Sequence, residues 1–226
     1  MELNKEEISI LQILKESLRN LKNKEILIAT MTFVLLGTAM TTIYNPFDTF
    51  TIKMLIIYLP SQFILLIGEM IIIKIVYKKY KKEEVDLKNI IKELIPRSFS
   101  ALCLYIIVTI LTLIGLVAVI IPGVLFAIYS AFYFQVFTLE NIGIRASIEN
   151  SLSFSKGFRN FIFKMVIITI ILTLINDEAL VRLLNHFLNS SISSGVNIII
   201  SSVIDSFLTI GYTSLYLKIK RIKTIE

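Results

Sequence analysis

Apolar residues gather in six runs, at about 26–44, 54–77, 98–121, 123–139, 161–176 and 196–217. A helix needs about 20 residues to cross a hydrocarbon core about 30 Å thick. Runs 123–139 and 161–176 fall slightly short but continue into apolar flanks, so all six are predicted as transmembrane helices. Three further segments, about 6–22, 85–95 and 143–156, mix polar and apolar residues with helical periodicity. In the first, Leu11, Leu14, Leu18 and Leu21 share a stripe, with Lys15, Arg19 and Lys22 off it, as in a helix lying in the lipid interface. Each of these segments precedes an odd-numbered span: SILQILKESLRNLKNKE, VDLKNIIKELIPRSFS and RASIENSLSFSKGFRN. The chain therefore reads as three units of interfacial helix plus helical hairpin, packed into a single all-α domain over residues 1–226. The expected fold class is a polytopic integral membrane protein.

Composition agrees with this patterning. Hydrophobic residues make up 55% of the chain and charged residues 18%, with a mean hydropathy of +0.78, against about 25% charged in a soluble domain. The net charge of +6 sits beside the apolar runs. It points to topology and anionic lipid headgroups, and not to nucleic acid. Five basic residues precede the first run, seven follow the second, four lie between the fourth and the start of the fifth, and four follow the sixth. The opposite side carries Arg182 alone. Lys/Arg excess marks the cytoplasmic side, so both termini are predicted inside. The first run, with no cleavage pattern after it, is expected to be an uncleaved signal anchor. The Ile- and Lys-rich composition suggests a bacterial cytoplasmic membrane.

Reactive chemistry is sparse. Cys103 and His186 are the only cysteine and histidine, which removes an intrachain disulfide and most zinc sites. His186 falls in a predicted external loop, away from any serine nucleophile, and neither HExxH nor a phosphate-binding loop occurs. No catalytic residue, cofactor or metal is expected, and the protein is read as a non-enzyme. Ionisable residues at membrane depth are costly and are functional candidates by default. Glu69 lies in the second span, on a face shared with Tyr58 and Gln62 and beside Pro60. Asp205 lies in the sixth, with Ser202, Ser206, Thr209 and Thr213 along its face. Both stripes are expected to face the bundle interior, with Tyr129, Ser130, Tyr133 and Gln135 of the fourth span as co-lining groups. Helix rise separates the two acids by about 8 Å in depth, so no direct dyad is expected, and Lys164 is the nearest partner for Glu69 by depth. Interhelical hydrogen-bond glue is the alternative role for these groups.

Residues 122–161, PGVLFAIYSAFYFQVFTLENIGIRASIENSLSFSKGFRNF, combine several of these signals. Pro122-Gly123 predicts the turn between the third and fourth spans. Ile144, Ile148 and Leu152 form an apolar stripe, and Gly157 suits the position after a helix end. Lys156, Gly157 and Arg159 are candidates for a headgroup-binding site; the alternative is an elbow that positions the fifth span. Pro122-Gly123, the aromatic and small residues after it, Glu140, Ser147, Ser151, Lys156-Gly157 and Phe161 together give a pattern. It resembles the membrane domain that precedes the catalytic domain in some glycerophosphoryl diester phosphodiesterases, and its stand-alone six-span relatives. Ser147 stands where that family usually has Ala, and Leu152 where an aromatic residue is common. The resemblance implies a membrane module without the soluble catalytic barrel and assigns no activity. The leading expectation is a non-catalytic protein that binds lipid or an amphiphilic solute, or partners another membrane protein. A proton-coupled small-solute transporter using Glu69 and Asp205 is the second, and an immunity protein against a membrane-active peptide the third.

Overall fold

A computed structural model describes residues 8–43, 52–118, 120–187 and 189–225, and all their regular structure is helical. The start of the predicted helix 6–22 and the end of the first span lie outside the described residues. Helix α1 (Ile10–Leu21) opens on Ser9, whose hydroxyl accepts from the Gln12 N–H. Helices α2 (Lys24–Ala29) and α3 (Leu35–Ile43) are joined by a π-helical turn, Thr30–Val34. Then come α4 (Ile52–Tyr80), α5 (Leu87–Ala118), α6 (Ile120–Tyr129), α7 (Tyr133–Glu140) and α8 (Ile144–Ser155). Helix α9 (Arg159–Leu174) runs through a second π-turn, Ile175–Leu180, into α10 (Val181–Phe187), and α11 (Ser190–Ile225) closes the chain.

Among the described residues, four stretches are long and apolar enough to cross a membrane: Leu59–Tyr80, Leu87–Ala118, Pro122–Glu140 and Ile192–Thr224. A fifth is added if α8 and the helix from Arg159 to Phe187, bent by 108° against each other, count as one. This is an all-α chain built as a multi-pass membrane protein is built. Helix α4 lies at the centre, packed against α3, α5, α7 and α11. Its Met70, Ile71, Ile72, Ile73 and Ile75 are buried almost completely, the all-round burial expected of an apolar helix enclosed by others.

Several elements differ from the sequence expectation. The second amphipathic segment, 85–95, is not a separate helix, because it continues into the third span as α5. Pro96 sits inside this helix on an exposed face, as does Lys92, the residue whose carbonyl loses its partner. On an exposed face that carbonyl can take a partner from outside the helix, which lowers the proline's cost. Pro122-Gly123 is not the turn but falls in the first turn of α6, where proline's missing N–H costs nothing. Glycine serves close packing here: a Cβ on Gly123 would lie 2.4 Å from the Leu116 N and 2.7 Å from the Gly115 C of α5. The helix of the predicted fifth span does not stop at 176. It stays helical to Phe187, helped by a Glu178–Arg182 pair at 2.6 Å one turn apart, so His186 lies on a helix and not in a loop. In α1 the leucine stripe divides. Ile13 and Ser17 are fully buried, with Leu14 and Leu21 partly buried beside them, while Leu11 and Leu18 are more than half exposed.

Ion pairs tie the charged ends together. Glu16 holds Lys218 at 3.0 Å, Glu25 holds Lys79 at 3.1 Å and Glu93 holds Lys74 at 2.6 Å. A backbone N–H at the start of α2, and then Lys79, hold the Glu25 carboxyl below the usual carboxylate range.

The Gly115–Gly123 contact sets the α5–α6 separation. Gly123→Ala is expected to destabilise the protein by about 1–3 kcal/mol through backbone displacement. Gly195→Ala, at a position with open space around it, is expected to have no such effect. Thermal unfolding of the detergent-purified variants measures the difference.

Candidate functional site

The site originates in a break in the fourth span. Helix α6 ends at Tyr129 and α7 starts at Tyr133, half-way along Pro122–Glu140. Ser130 still reaches back, its N–H and hydroxyl both donating to the Phe126 carbonyl at 2.8 Å. The Tyr129 carbonyl and the Phe132 N–H fall out of the helical ladder, and such groups must be satisfied within the protein at membrane depth. Helix α8 supplies the partners. Ser151 Oγ accepts from the Phe132 N–H at 3.1 Å and donates to the Tyr129 carbonyl at 3.1 Å, and Ser155 Oγ donates to the same carbonyl at 2.9 Å. With Ser147, these serines are fully buried one helical turn apart. They form the docking face of α8, with Ile144 and Ile148 partly buried at its side. The docking face is thus the serine stripe and not the apolar stripe of Ile144, Ile148 and Leu152, and the i, i+4, i+8 spacing of Ser147, Ser151 and Ser155 is its signal in the sequence.

The lower end of the break is fixed as firmly. Arg97 of α5 donates to the carbonyls of Phe137 and Ile142 at 3.0 and 3.1 Å, with its guanidinium 4.4 Å from the Phe137 ring centre. Glu140 accepts from the Tyr216 hydroxyl at 2.6 Å and from Lys220. Asn141 then turns the chain with a left-handed φ of 56°, a conformation asparagine tolerates.

Restarting the helix at Tyr133 presents Ala131, Tyr133 and Gln135 to a cavity of about 230 Å³, which Glu69 of α4 and Asp205 and Thr209 of α11 also line. The two acids thus share one cavity. The expected 8 Å offset in depth assumed upright spans of about 20 residues, whereas α4 and α11 are 29 and 36 residues long, and helix rise along such long helices does not fix relative depth. Gln135 is 5% exposed and its Oε1 has no hydrogen-bond partner. Phe134, Leu208 and Tyr212 complete the wall, and the Tyr212 hydroxyl lies 3.2 Å from that of Thr169. Gln62 is buried nearby on α4 but does not line the cavity. Lys164 does not line it either; its ammonium lies 5.9 Å from the Phe161 ring. The hydroxyl stripe of α11 faces inward: Ser202, Ser206 and Thr213 are fully buried, and Ser206 meets Thr30 of the first π-turn at 2.9 Å. The cavity offers carboxylates, an amide and hydroxyls between aromatic walls, and so suits a proton or a small polar solute. Among the described residues, no three His, Cys, Asp or Glu side chains cluster as metal ligands would.

The headgroup candidates separate. Helix α8 ends at Ser155, and Gly157 adopts φ 87° as predicted for its position. Gly157, Arg159 and Asn160 line a shallow pocket of about 250 Å³, while Lys156 does not. The Arg159 guanidinium lies 4.8 Å from the Tyr129 ring centre. Tyr129, expected beside the acids, does not line their cavity; its carbonyl is held by Ser151 and Ser155 of α8 and its ring lies under Arg159. No family model matches the chain, nor does any curated protein or solved structure.

Ser151→Ala would leave the Phe132 N–H without its partner and the Tyr129 carbonyl with Ser155 alone. A loss of about 1–3 kcal/mol is expected, read by thermal or denaturant unfolding, with the exposed Ser153→Ala as the neutral reference.

Proposed function

We propose that this protein is a non-catalytic multi-pass protein of a bacterial cytoplasmic membrane that holds a small polar or amphiphilic solute in its intramembrane cavity. The observation that carries this reading is the convergence of Glu69, Asp205, Tyr133 and the unpartnered Gln135 on that cavity. An acid directed at acyl chains would cost about 2.5–3.5 kcal/mol, and one facing a cavity avoids that cost. The finer topology belongs to the proposal: six spans, both termini cytoplasmic, and α1 and α8 in the interface. The exposed Leu11 and Leu18 and the 108° bend after α8 support it. So does the resemblance of residues 122–161 to the phosphodiesterase membrane domain, which assigns a membrane module and no reaction.

A second reading, proton-coupled solute transport, is favoured by the break at 130–132 beside two acids. Discontinuous helices recur at the binding sites of transporters.

In intact cells, a cysteine at Ser194→Cys is expected to react with an impermeant thiol reagent, and one at Ser153→Cys only after permeabilisation; the reverse pattern overturns the orientation. For the cavity, Glu69→Gln and Asp205→Asn keep hydrogen-bonding capacity and are expected to keep helical content and expression. Native mass spectrometry of the gently solubilised protein is expected to show a retained solute in wild type and its loss in the double variant. Absence from wild type, or equal retention in both, sinks the binding reading. In proteoliposomes under an imposed pH gradient, proton flux in wild type but not in either amide variant selects the transporter; equal flux in all three rejects it.

A further inference from the structure

Another cavity, of about 650 Å³, lies apart from the one between the acids. It opens where α1 crosses the ends of α4 and α11, at the cytoplasmic side assigned above. Four cations line it: Arg19 from α1, Lys79 from α4, and Lys218 and Arg221 from α11. Two are neutralised locally, Lys79 by Glu25 and Lys218 by Glu16. Among the described residues, Arg19 and Arg221 have neither an ion pair nor a hydrogen bond, so the cleft keeps two guanidinium groups with unused forks. Gln12, Asn20 and Tyr80 add polar groups around them, and Val76, Leu217 and Ile222 give the cleft an apolar floor.

We propose that this cleft binds the dianionic phosphate of a phosphomonoester, held between Arg19 and Arg221, with the ester's organic part on the apolar floor. Two unneutralised positive charges match a phosphomonoester dianion. Two planar forks match its tetrahedral oxygens, since guanidinium groups pair bidentately with phosphate. The volume lies within the roughly 300–1,000 Å³ of small-molecule sites, enough for more than the bare anion. The exposed leucines of α1, Leu11 and Leu18, lie on another face from Gln12, Glu16 and Arg19, so the arginines are at headgroup level whether the ester is a phosphatidate-type lipid or a soluble metabolite. The site is separate from the cavity of Glu69 and Asp205, and stands or falls independently of it.

The test uses the full chain in phosphatidylcholine nanodiscs. One arm titrates glycerol 3-phosphate by calorimetry; the other incorporates phosphatidic acid in the discs and counts bound lipid by native mass spectrometry. Saturable binding in either arm is expected, the arm naming the source. Arg19→Gln/Arg221→Gln is expected to weaken it by about tenfold or more. Lys15→Gln/Lys22→Gln, which removes equal charge from the outer face of α1, is expected to stay within about twofold. If the glutamine variant fails to fold, Arg19→Lys/Arg221→Lys keeps the charge, removes the forks and is still expected to weaken binding. No saturable binding in either arm, an equal loss in the Lys15/Lys22 control, or equally tight binding of succinate overturns the proposal.

Discussion

A lipid-embedded chain cannot leave a backbone N–H or C=O without a partner, and one break in one helix brings that constraint to bear on most of this structure. Between Tyr129 and Tyr133 the fourth span gives up its ladder. What replaces it is a pair of serine hydroxyls on a helix that follows in sequence and lies at a steep angle to the fifth span. Helix α8 is therefore part of the fourth span's hydrogen bonding as much as a connector. Its own position depends on α11, whose Lys223 donates to the Ser153 carbonyl at 2.8 Å and lies over the rings of Phe154 and Phe158. The cavity exists because α7, freed from the axis of α6, can present Gln135 and Tyr133 toward the acids.

The polar contacts divide by depth into two kinds. At the charged ends four ion pairs each join a different pair of helices: Glu16 joins α1 to α11, Glu25 joins α2 to α4, Glu93 joins α5 to α4, and Glu140 joins α7 to α11. Partly exposed pairs add little stability singly, about 0–1 kcal/mol each, so their main effect is on which helix ends meet. Deeper in, the contacts are neutral: Thr30 with Ser206, Asn176 with Ser201 at 2.9 Å, Thr169 with Tyr212. Two of these involve the π-turns, where an extra residue per turn reorients side chains and which recur at functional positions. Against that neutral background, Glu69 and Asp205 are the chemically conspicuous groups.

Features governed by periodicity were legible in the sequence. The apolar runs, the inward hydroxyl stripe of α11 and the convergence of both acids with Tyr133 follow from one rule, that polar groups in a span face protein. Gly157 was legible because a helix end needing positive φ selects glycine. Punctuation was less reliable. Pro96 and Pro122-Gly123 look like breaks, yet both sit within helices, where an exposed carbonyl or a first-turn position makes the missing N–H harmless. The real break, at Ser130, Ala131 and Phe132, contains neither glycine nor proline. Its cause is tertiary: the partners that make it affordable lie about twenty residues away, on a surface no local window includes. Tyr129 was misassigned for the same reason, since a straight helix would have carried it toward the acids.

That separation also has a temporal side. Tyr129 and its serine partners are 22 and 26 residues apart, and during synthesis the fourth span leaves the ribosome before α8 does. Until those hydroxyls arrive, a continuous helix is the cheaper form of residues 122–140, because it satisfies its own backbone. The kink thus depends on side chains made after the segment that carries it, and the placement of Tyr133 and Gln135 beside Glu69 and Asp205 rests on hydroxyls that the segment does not itself contain.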